Sequence, residues 1–275
     1  MRGHTFCCLS LLGALALAGE PLSWGYRDGQ GVSFDLYRDY LIVAQGSAGP
    51  LKGLNFLLDT GASPSVVNRP LAQKLHLQES PASLAVIAGN VPAGRAVLPS
   101  LEFGPLRRDN FQVLVEDLSF FQKAFPVRID AVIGLDVVGQ SPFIIDYRSR
   151  EIHFGSIPTQ ATSLPLRIQG GLPIVDAELD HVPVHLLFDT GAASLILFGP
   201  VAPMKISLTI GEFERTQVRL KSLKLGEANF GRQEASLVKG RSNGSRDFDG
   251  LLSPTALGIT KVAFDLRQGL LAFNR

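Results

Sequence analysis

Residues 57–62 read Leu-Leu-Asp-Thr-Gly-Ala, and residues 187–192 read Leu-Phe-Asp-Thr-Gly-Ala. Each hexamer continues a short apolar run, which is typical of a β-strand that ends at the aspartate. The two aspartates, Asp59 and Asp189, lie 130 residues apart. Because the same strand-and-turn pattern occurs twice, we expect two copies of one structural unit in the chain.

Further segments of the first half recur in the second half, in the same order along the chain. Their offset falls from 130 to 122 and then to 119. Two deletions in the second copy would produce this decrease in the offset. The first deletion would remove from the second copy most of the counterpart of a short helix that is predicted at residues 69–77. The matching segments are 88–89 with 210–211, 100–104 with 222–226, 130–133 with 249–252, and 144–147 with 263–266.

Composition favours a β-rich globular fold. The chain has 275 residues, 28 of them Gly and 17 Pro, and its apolar runs are short and rich in β-branched residues. The repeat divides it into lobe 1 over residues 30–156 and lobe 2 over residues 163–275, with a polar stretch around Pro158 between them. Lys and Arg number 26 against 25 for Asp and Glu, so no basic excess suggests a nucleic-acid partner.

The first 18 residues predict a cleaved export signal. Arg2 precedes an apolar run from Phe6 to Ala18, which ends in the small-x-small pattern of a cleavage site. A transmembrane anchor is the alternative, but this run is shorter than the ~20 residues that span a bilayer. Cys7 and Cys8 both lie in the segment, so the exported chain would have no disulfide and no stable membrane anchor. We therefore expect a secreted or periplasmic protein.

The paired Asp-Thr-Gly sequences suit hydrolysis of a peptide bond without a metal or a covalent nucleophile. Two carboxylates held a few ångströms apart cannot both ionise, so one acts as the base and the other as the acid. Gly61 and Gly191 permit a tight turn and a close approach of the opposing loop. The hydroxyls of Thr60 and Thr190 can form hydrogen bonds between the two loops.

These motifs resemble those of the retropepsin-like aspartic peptidases, and in particular the bacterial exported members with two tandem copies. The Asp-Thr-Gly-Ala-Ser of that family is matched by residues 59–63, and its apolar-apolar-Gly segment by residues 132–134. The resemblance implies a mostly β fold with two acid-protease β-barrel lobes related by pseudo-two-fold symmetry. It also implies an aspartic endopeptidase that needs no cofactor, acts on polypeptides and works as a monomer with Asp59 and Asp189 as catalytic residues.

The resemblance extends to residues that support the catalytic loops and to the flap, a glycine-bearing hairpin that closes over substrate. Gly89 falls at the position of the flap glycine, and its match Gly211 in the second copy suggests a second flap. The expected supporting residues are Thr60, Gly61, Ala62, Ser63, Gly134, Thr190, Gly191, Ala192 and Ser253, and the expected flap residues are Ala88, Gly89, Asn90 and Gly211.

The second copy departs from the family pattern near its aspartate. Ala193 replaces Ser63, and Ser253 replaces the supporting Gly134. A duplicated peptidase can lose catalysis and keep substrate binding, so a non-catalytic peptide-binding module is an alternative function. Sugar-kinase-like ATPases also use two Asp-x-Gly loops, but the export signal and the lack of long helices argue against that class.

Other acidic and histidine residues have structural interpretations. Asp146 and Asp265 precede hairpin turns, where Asp accepts hydrogen bonds from the local backbone. Asp130 and its match Asp249 are expected to be loop residues, whereas Asp136 has Thr255 as its counterpart. His181 and His185 are four residues apart, but Pro183 and a strand-like pattern argue against a metal site.

Overall fold

The computed structural model describes residues 31–86, 89–157, 162–199, 206–210, 213–238 and 248–275. Most of these residues form β-strands, with three short α-helices and one 3₁₀ turn within the described ranges. The export signal, Ala88, Gly211 and the stretch 239–247 lie outside them. The described part of lobe 1 therefore begins at Gly31.

The first half begins at the N-terminal strand and ends with a hairpin. Its strands are β1 (Gly31–Tyr37), β2 (Leu41–Ala48), β3 (Leu51–Leu58), β4 (Val66–Asn68), β5 (Ser80–Val86), β6 (Gly89–Phe103), β7 (Leu106–Glu116), β8 (Ala131–Ile133), β9 (Phe143–Asp146) and β10 (Glu151–Phe154). Its helices are α1 (Arg69–Lys74), α2 (Phe120–Ala124) and α3 (Leu135–Val138).

The second half repeats this order with fewer helical segments in its described part. Its strands are β11 (Thr162–Pro165), β12 (Arg167–Gln169), β13 (Leu172–Leu179), β14 (Val182–Phe188), β15 (Leu195–Phe198), β16 (Ile206–Ile210), β17 (Phe213–Leu225), β18 (Ala228–Val238), β19 (Gly250–Leu252), β20 (Lys261–Asp265) and β21 (Leu270–Asn274). The 3₁₀ turn covers Thr255–Leu257 and occupies the place of α3.

Each half contains a buried parallel strand pair that leads to one of the repeated aspartates. In the first half β3 pairs with β8, and Leu57 lies opposite Val132. In the second half β14 pairs with β19, and Leu187 lies opposite Leu251. In both halves a third strand, β4 or β15, runs antiparallel to the shorter partner. Strands buried on both faces are continuously apolar, which explains the apolar run before each Asp-Thr-Gly.

A six-stranded part of the larger sheet joins the two halves, in the order β11-β21-β20-β9-β10-β1. Within it β9 and β20 are antiparallel, and Ile144 lies opposite Ala263. These two residues are also each other's counterparts in the repeat, so a pseudo-two-fold axis passes close to this pair. Three strands of the second half and three strands of the first half therefore form one continuous sheet, and the halves meet at β20 and β9.

The core also crosses between the halves. The rings of Phe143 and Phe264 stack with centroids 4.8 Å apart, and both side chains are fully buried. Phe264 also meets Phe188 of its own half edge to face at 5.8 Å. Truncation of a buried phenylalanine to alanine typically costs about 3–5 kcal/mol. The contact between the lobes is thus a substantial part of the folded state's stability.

The repeated aspartates outside the motif have matching structural roles in both halves. Asp146 Oδ1 accepts the N–H of Arg148, and Asp265 Oδ1 accepts the N–H of Arg267, which confirms the predicted turns. Asp130 closes the start of the β3–β8 pair by accepting the Asn55 N–H at 3.0 Å. Its counterpart Asp249 does the same for β14–β19 through the His185 N–H at 2.8 Å.

Candidate active site

Asp59 and Asp189 lie directly after β3 and β14 and face each other across the centre of the molecule. Their carboxyl groups are hydrogen-bonded to each other. A Cβ atom placed on Gly61 would lie 2.7 Å from Cγ of Asp189, and one placed on Gly191 would lie 2.7 Å from Cγ of Asp59. Both positions therefore have room only for glycine, because any side chain would displace the opposite carboxyl group.

Reciprocal hydrogen bonds between two buried threonines hold the loops together. The Thr60 N–H donates to Thr190 Oγ1 at 3.0 Å, and the Thr190 N–H donates to Thr60 Oγ1 at 3.0 Å. Each hydroxyl then donates to the backbone of the opposite strand, Thr60 to the carbonyl of Phe188 at 2.7 Å and Thr190 to that of Leu58 at 3.3 Å. This symmetric arrangement fixes the two aspartates relative to each other.

Desolvation raises the pKa values of both carboxyl groups, and the neighbouring Asp59 raises that of Asp189 further. Desolvation is the largest cause for Asp59, and it outweighs the hydrogen bond from Asp189 and the Gly61 and Gly191 N–H groups. The pKa of Asp189 is raised well above its usual range by desolvation first, and then by the charge of Asp59. Since two adjacent carboxylates repel, the pair holds one proton in the range where isolated aspartates are ionised.

The loop around Asp59 rests on residues that follow β8. The Asp59 N–H donates to the carbonyl of Ile133 at 3.0 Å, and a Cβ on Gly134 would lie 2.0 Å from the Ala62 carbonyl oxygen. Ser65 and Asp136 add a polar connection between the same segments. Neither residue is among the supporting residues expected from the sequence, where their signal is a Ser six residues after the aspartate and an Asp two residues after Gly134.

The supporting residues of lobe 2 differ in chemistry. At the positions of Ser65, Gly134 and Asp136 stand Leu195, Ser253 and Thr255. Leu195 and Ser253 are buried, and Ser253 Oγ lies 3.3 Å from Thr255 Oγ1. Asp189 nevertheless keeps its backbone bond, because its N–H donates to the carbonyl of Leu252 at 3.0 Å. Among the described hydrogen bonds, the Asp189 loop therefore has no counterpart of the connection between Ser65 and Asp136.

The carboxyl pair opens into a cleft with a volume of about 860 Å³. Ser63 of lobe 1 and Ala193 of lobe 2 line it, together with Leu84 of β5 and Val91 of β6. The expected flap residues Gly89 and Asn90 form the start of β6, opposite Val86 and Ala85 of β5, and Ala88 and Gly211 lie outside the described residues. The further apolar lining includes Tyr40, Val66, Leu118, Phe120, Phe121, Val132, Leu172, Leu187, Ile196 and Leu251.

The histidines and acidic residues of the described chain do not form a metal cluster. No group of three or more His, Cys, Asp or Glu side chains in these ranges could hold a metal ion. His185 instead lies 2.8 Å from Asp176, beside Arg167. Within the same ranges, no helix has the length and apolarity needed to cross a membrane.

Comparison with known proteins supports an aspartic protease-type function. Residues 46–137 match the family model described as aspartyl protease. This segment contains Asp59, Ser65 and Asp136, and it ends before lobe 2. A search of curated proteins finds no match. The predicted fold class, a mostly β fold with two retropepsin-like barrel lobes, is confirmed.

Proposed function

We propose that the protein is an aspartic endopeptidase in which Asp59 and Asp189 activate water for attack on a peptide bond. The observation that carries this proposal is the reciprocal pair of hydrogen bonds between Thr60 and Thr190, which holds the buried Asp189 and the half-buried Asp59 in contact. A structural pair of aspartates would be expected to have cationic partners, because buried carboxylates without them are costly. Here each carboxyl group faces the other and an open cleft.

In this mechanism the two carboxyl groups share one proton and therefore have different roles. The ionised member accepts a proton from water as the oxygen attacks the peptide carbonyl. The protonated member donates to the carbonyl oxygen, and a proton is then passed to the leaving amide nitrogen. The raised pKa values favour the singly protonated pair, and no metal or cofactor is needed for these transfers.

The cleft favours an extended polypeptide as substrate. Its walls are apolar on the lobe 1 side at Tyr40, Leu118 and Phe121, and on the lobe 2 side at Leu172 and Ile196. A peptide lying across the carboxyl pair would place a side chain against each wall. The hairpin of β5 and β6 contributes Leu84 and Val91 to the cleft and, by closing over a bound peptide, would shield the reaction from water.

Single substitutions of the aspartates test the proposal. Asp59→Asn and Asp189→Asn should each lower peptide cleavage by ~10⁴-fold or more, because either change removes a proton-transfer group from a coupled pair. A transition-state analogue with a hydroxyl at the carbonyl position should inhibit the unmodified protein. Circular dichroism of the purified variants would verify that they remain folded. Unchanged cleavage in either folded variant would contradict the proposal.

A non-catalytic peptide-binding module is the second candidate, and the changes at Ser253 and Thr255 in lobe 2 favour it. This function requires the cleft but not the proton transfer. Peptide affinity would then survive the double change Asp59→Asn, Asp189→Asn, and the unmodified protein would not cleave peptides over a broad pH range. Isothermal titration with a peptide library and a cleavage assay on the same peptides separate the two functions.

We propose further that the two lobes arose by duplication within one gene and that the chain is exported as a monomer. The matched strand pairs, the matched roles of Asp130 and Asp249, and the axis at Ile144 and Ala263 support the duplication. The apolar run before Ala18 supports export to the periplasm or the medium. Mass spectrometry of the N-terminus of the exported protein would test the cleavage after residue 18.

A further inference from the structure

The clearest difference between the lobes is a group of three hydrogen bonds in lobe 1, between the Asp59 loop and the segment that follows β8. Ser65 is completely buried, and its Oγ accepts the Gly134 N–H at 2.9 Å. The same hydroxyl donates to Asp136 Oδ1 at 2.6 Å, and the Ser65 N–H donates to Asp136 Oδ2 at 2.8 Å. We name Ser65, Gly134 and Asp136 the lobe 1 clamp.

The lobe 1 clamp closes the end of the Asp59 loop onto the segment after β8. Two of its bonds end on a carboxylate, and hydrogen bonds to a charged acceptor are about twice as strong as neutral ones. The clamp also keeps Gly134 against the Ala62 carbonyl, where no Cβ could fit. Movement of Asp59 therefore requires either a break in the clamp or a shift of β8.

The equivalent residues of lobe 2 cannot form such a group. Leu195 has no polar side-chain atom, and the described hydrogen bonds of Ser253 Oγ involve only Thr255 Oγ1 and the Ala256 N–H. The turn at Asp189 is also more open than the turn at Asp59. The Ala192 N–H lies 3.4 Å from the Asp189 carbonyl, whereas the Ala62 N–H lies 3.1 Å from the Asp59 carbonyl.

We propose that Ser65 and Asp136 are positioning residues that fix the Asp59 carboxylate for catalysis, and that lobe 2 positions Asp189 without such a clamp. The inference rests on the proposed peptidase function, because only catalysis makes the orientation of Asp59 matter. Asp136 does not touch the substrate in this account. It acts through Ser65 on the loop that carries Asp59.

Kinetics of Asp136→Asn and Ser65→Ala test this inference. Each change should lower kcat by about 10- to 100-fold, since a displacement of about 1 Å of a reacting group has an effect of that size. KM should change less than threefold, and the limbs of the pH–rate profile should move, because the distance between the carboxyl groups changes. Ser65→Thr keeps the hydroxyl and should recover most of the activity.

Asp130→Asn is the matched control, since it makes the same change of charge at the other end of β8. Asp130 is buried and bonded to the Asn55 N–H and Arg128, so its replacement should lower stability as well. It should leave the pH–rate profile unmoved. If Asp136→Asn and Asp130→Asn lower the melting temperature alike and both leave kcat and the pH profile unchanged, the positioning role is wrong.

Hydrogen exchange separates failure of this inference from failure of the proposed function. In Asp136→Asn and Ser65→Ala, the backbone amides of residues 59–65 should exchange at least tenfold faster, while those of 189–195 stay as in the unmodified protein. This readout does not require activity. If exchange at residues 59–65 is unchanged in the variants, the clamp is wrong even if the unmodified protein is an active peptidase. If exchange is faster in the variants but the unmodified protein does not cleave peptides, only the peptidase function is wrong.

Discussion

Ala62 and Ala192 follow the glycine of each motif, and neither has a hydroxyl to offer the carboxyl groups. Backbone N–H groups are therefore the described donors nearest to the pair, with Gly61 donating to Asp59 at 2.8 Å and Gly191 donating to Asp189 at 2.7 Å. Each additional donor to a carboxylate favours its charged form and lowers its pKa. With few donors in a buried site, desolvation dominates.

Serine at both alanine positions should shift the activity to lower pH. In the variant Ala62→Ser, Ala192→Ser, each new hydroxyl would donate to its neighbouring carboxylate and lower the pKa values of the pair. We expect the optimum of the pH–rate profile to move down by about one unit, the shift that ~1.4 kcal/mol of added stabilisation of the charged form produces. An optimum that stays in place or rises would contradict this explanation of the raised pKa values.

Asp189→Asn should stabilise the folded protein at neutral pH. The pKa of Asp189 is raised on folding, so the folded state retains a proton that the unfolded state releases, and stability falls as pH rises above the unfolded pKa. The side chain of asparagine does not titrate, so the variant does not lose this stability as the pH rises. Thermal unfolding should show a higher melting temperature for the variant at pH 7 and a difference that vanishes below the unfolded pKa of about 3.9.

Asp35→Asn is a suitable control for that measurement, because Asp35 lies exposed on β1. Its melting temperature should follow the unmodified protein across the pH range. If Asp189→Asn and Asp35→Asn gave the same melting temperatures at pH 7, the carboxyl pair would not carry the expected cost of burial.

At the scale of elements, the ends of two parallel strand pairs place the glycines against the opposite aspartates. Gly191→Ala would put a methyl group 2.7 Å from Cγ of Asp59, below any real carbon–carbon contact. The loops must separate to admit it, so we expect loss of cleavage together with a destabilisation of about 1–3 kcal/mol from overpacking. Cleavage assays and urea unfolding measure the two effects.

Gly31→Ala provides the comparison for that substitution. A Cβ on Gly31 would approach His153 no closer than 3.5 Å, an ordinary contact on the β1 strand. Its activity and unfolding midpoint should stay near those of the unmodified protein. Full activity in Gly191→Ala would show that the two loops are not in the contact described for the carboxyl pair.

Local pattern was enough to predict several elements. The apolar run and turn at residues 143–154 predicted the β9–β10 hairpin, and its repeat predicted β20–β21. The leucine spacing at residues 69–77 predicted α1, which covers Arg69–Lys74 and ends earlier than expected. These elements depend on neighbours in the chain, so hydrophobic periodicity and turn residues are sufficient.

Long-range pairing could not be predicted in the same way. The clamp joins Ser65 to Asp136 over 71 residues, and comparison of Asp136 with its repeat counterpart Thr255 gives no sign of this role. The sheet shared by β9 and β20 also leaves no local signal, because either strand could pair within its own lobe. Repeat comparison identifies what the copies share and does not reveal what one copy has alone.

For the whole molecule, the shared sheet contains an ion pair between the halves. Lys261 Nζ lies 2.7 Å from Asp146 Oδ2, and both side chains are largely buried. Burial alone would raise the pKa of Asp146, but the hydrogen bond from Lys261 and the N–H groups of Ser149 and Arg148 lower it below its usual range. The pair therefore stabilises the fold above the unfolded pKa of Asp146, and this contribution is lost as pH falls through the lower folded pKa.

Lys261→Met should weaken the connection between the lobes in a pH-dependent way. It keeps most of the side-chain volume and removes the charge, so we expect a loss of about 1.5–3 kcal/mol at pH 7, the usual worth of a hydrogen bond to a charged group. Urea unfolding at a series of pH values should show the loss shrinking in acid. A loss that is equal at pH 7 and at pH 2 would assign the effect to packing alone.

The central claim is that Asp59 and Asp189 of one chain form one catalytic site. Its most direct test is to mix equal amounts of the Asp59→Asn and Asp189→Asn chains and measure peptide cleavage beside the unmodified protein over a wide concentration range. The account predicts no activity in the mixture and a rate of the unmodified protein that is proportional to its concentration. Recovery of activity in the mixture, or a rate that rises with the square of the concentration, would show that two chains build the site and would contradict it.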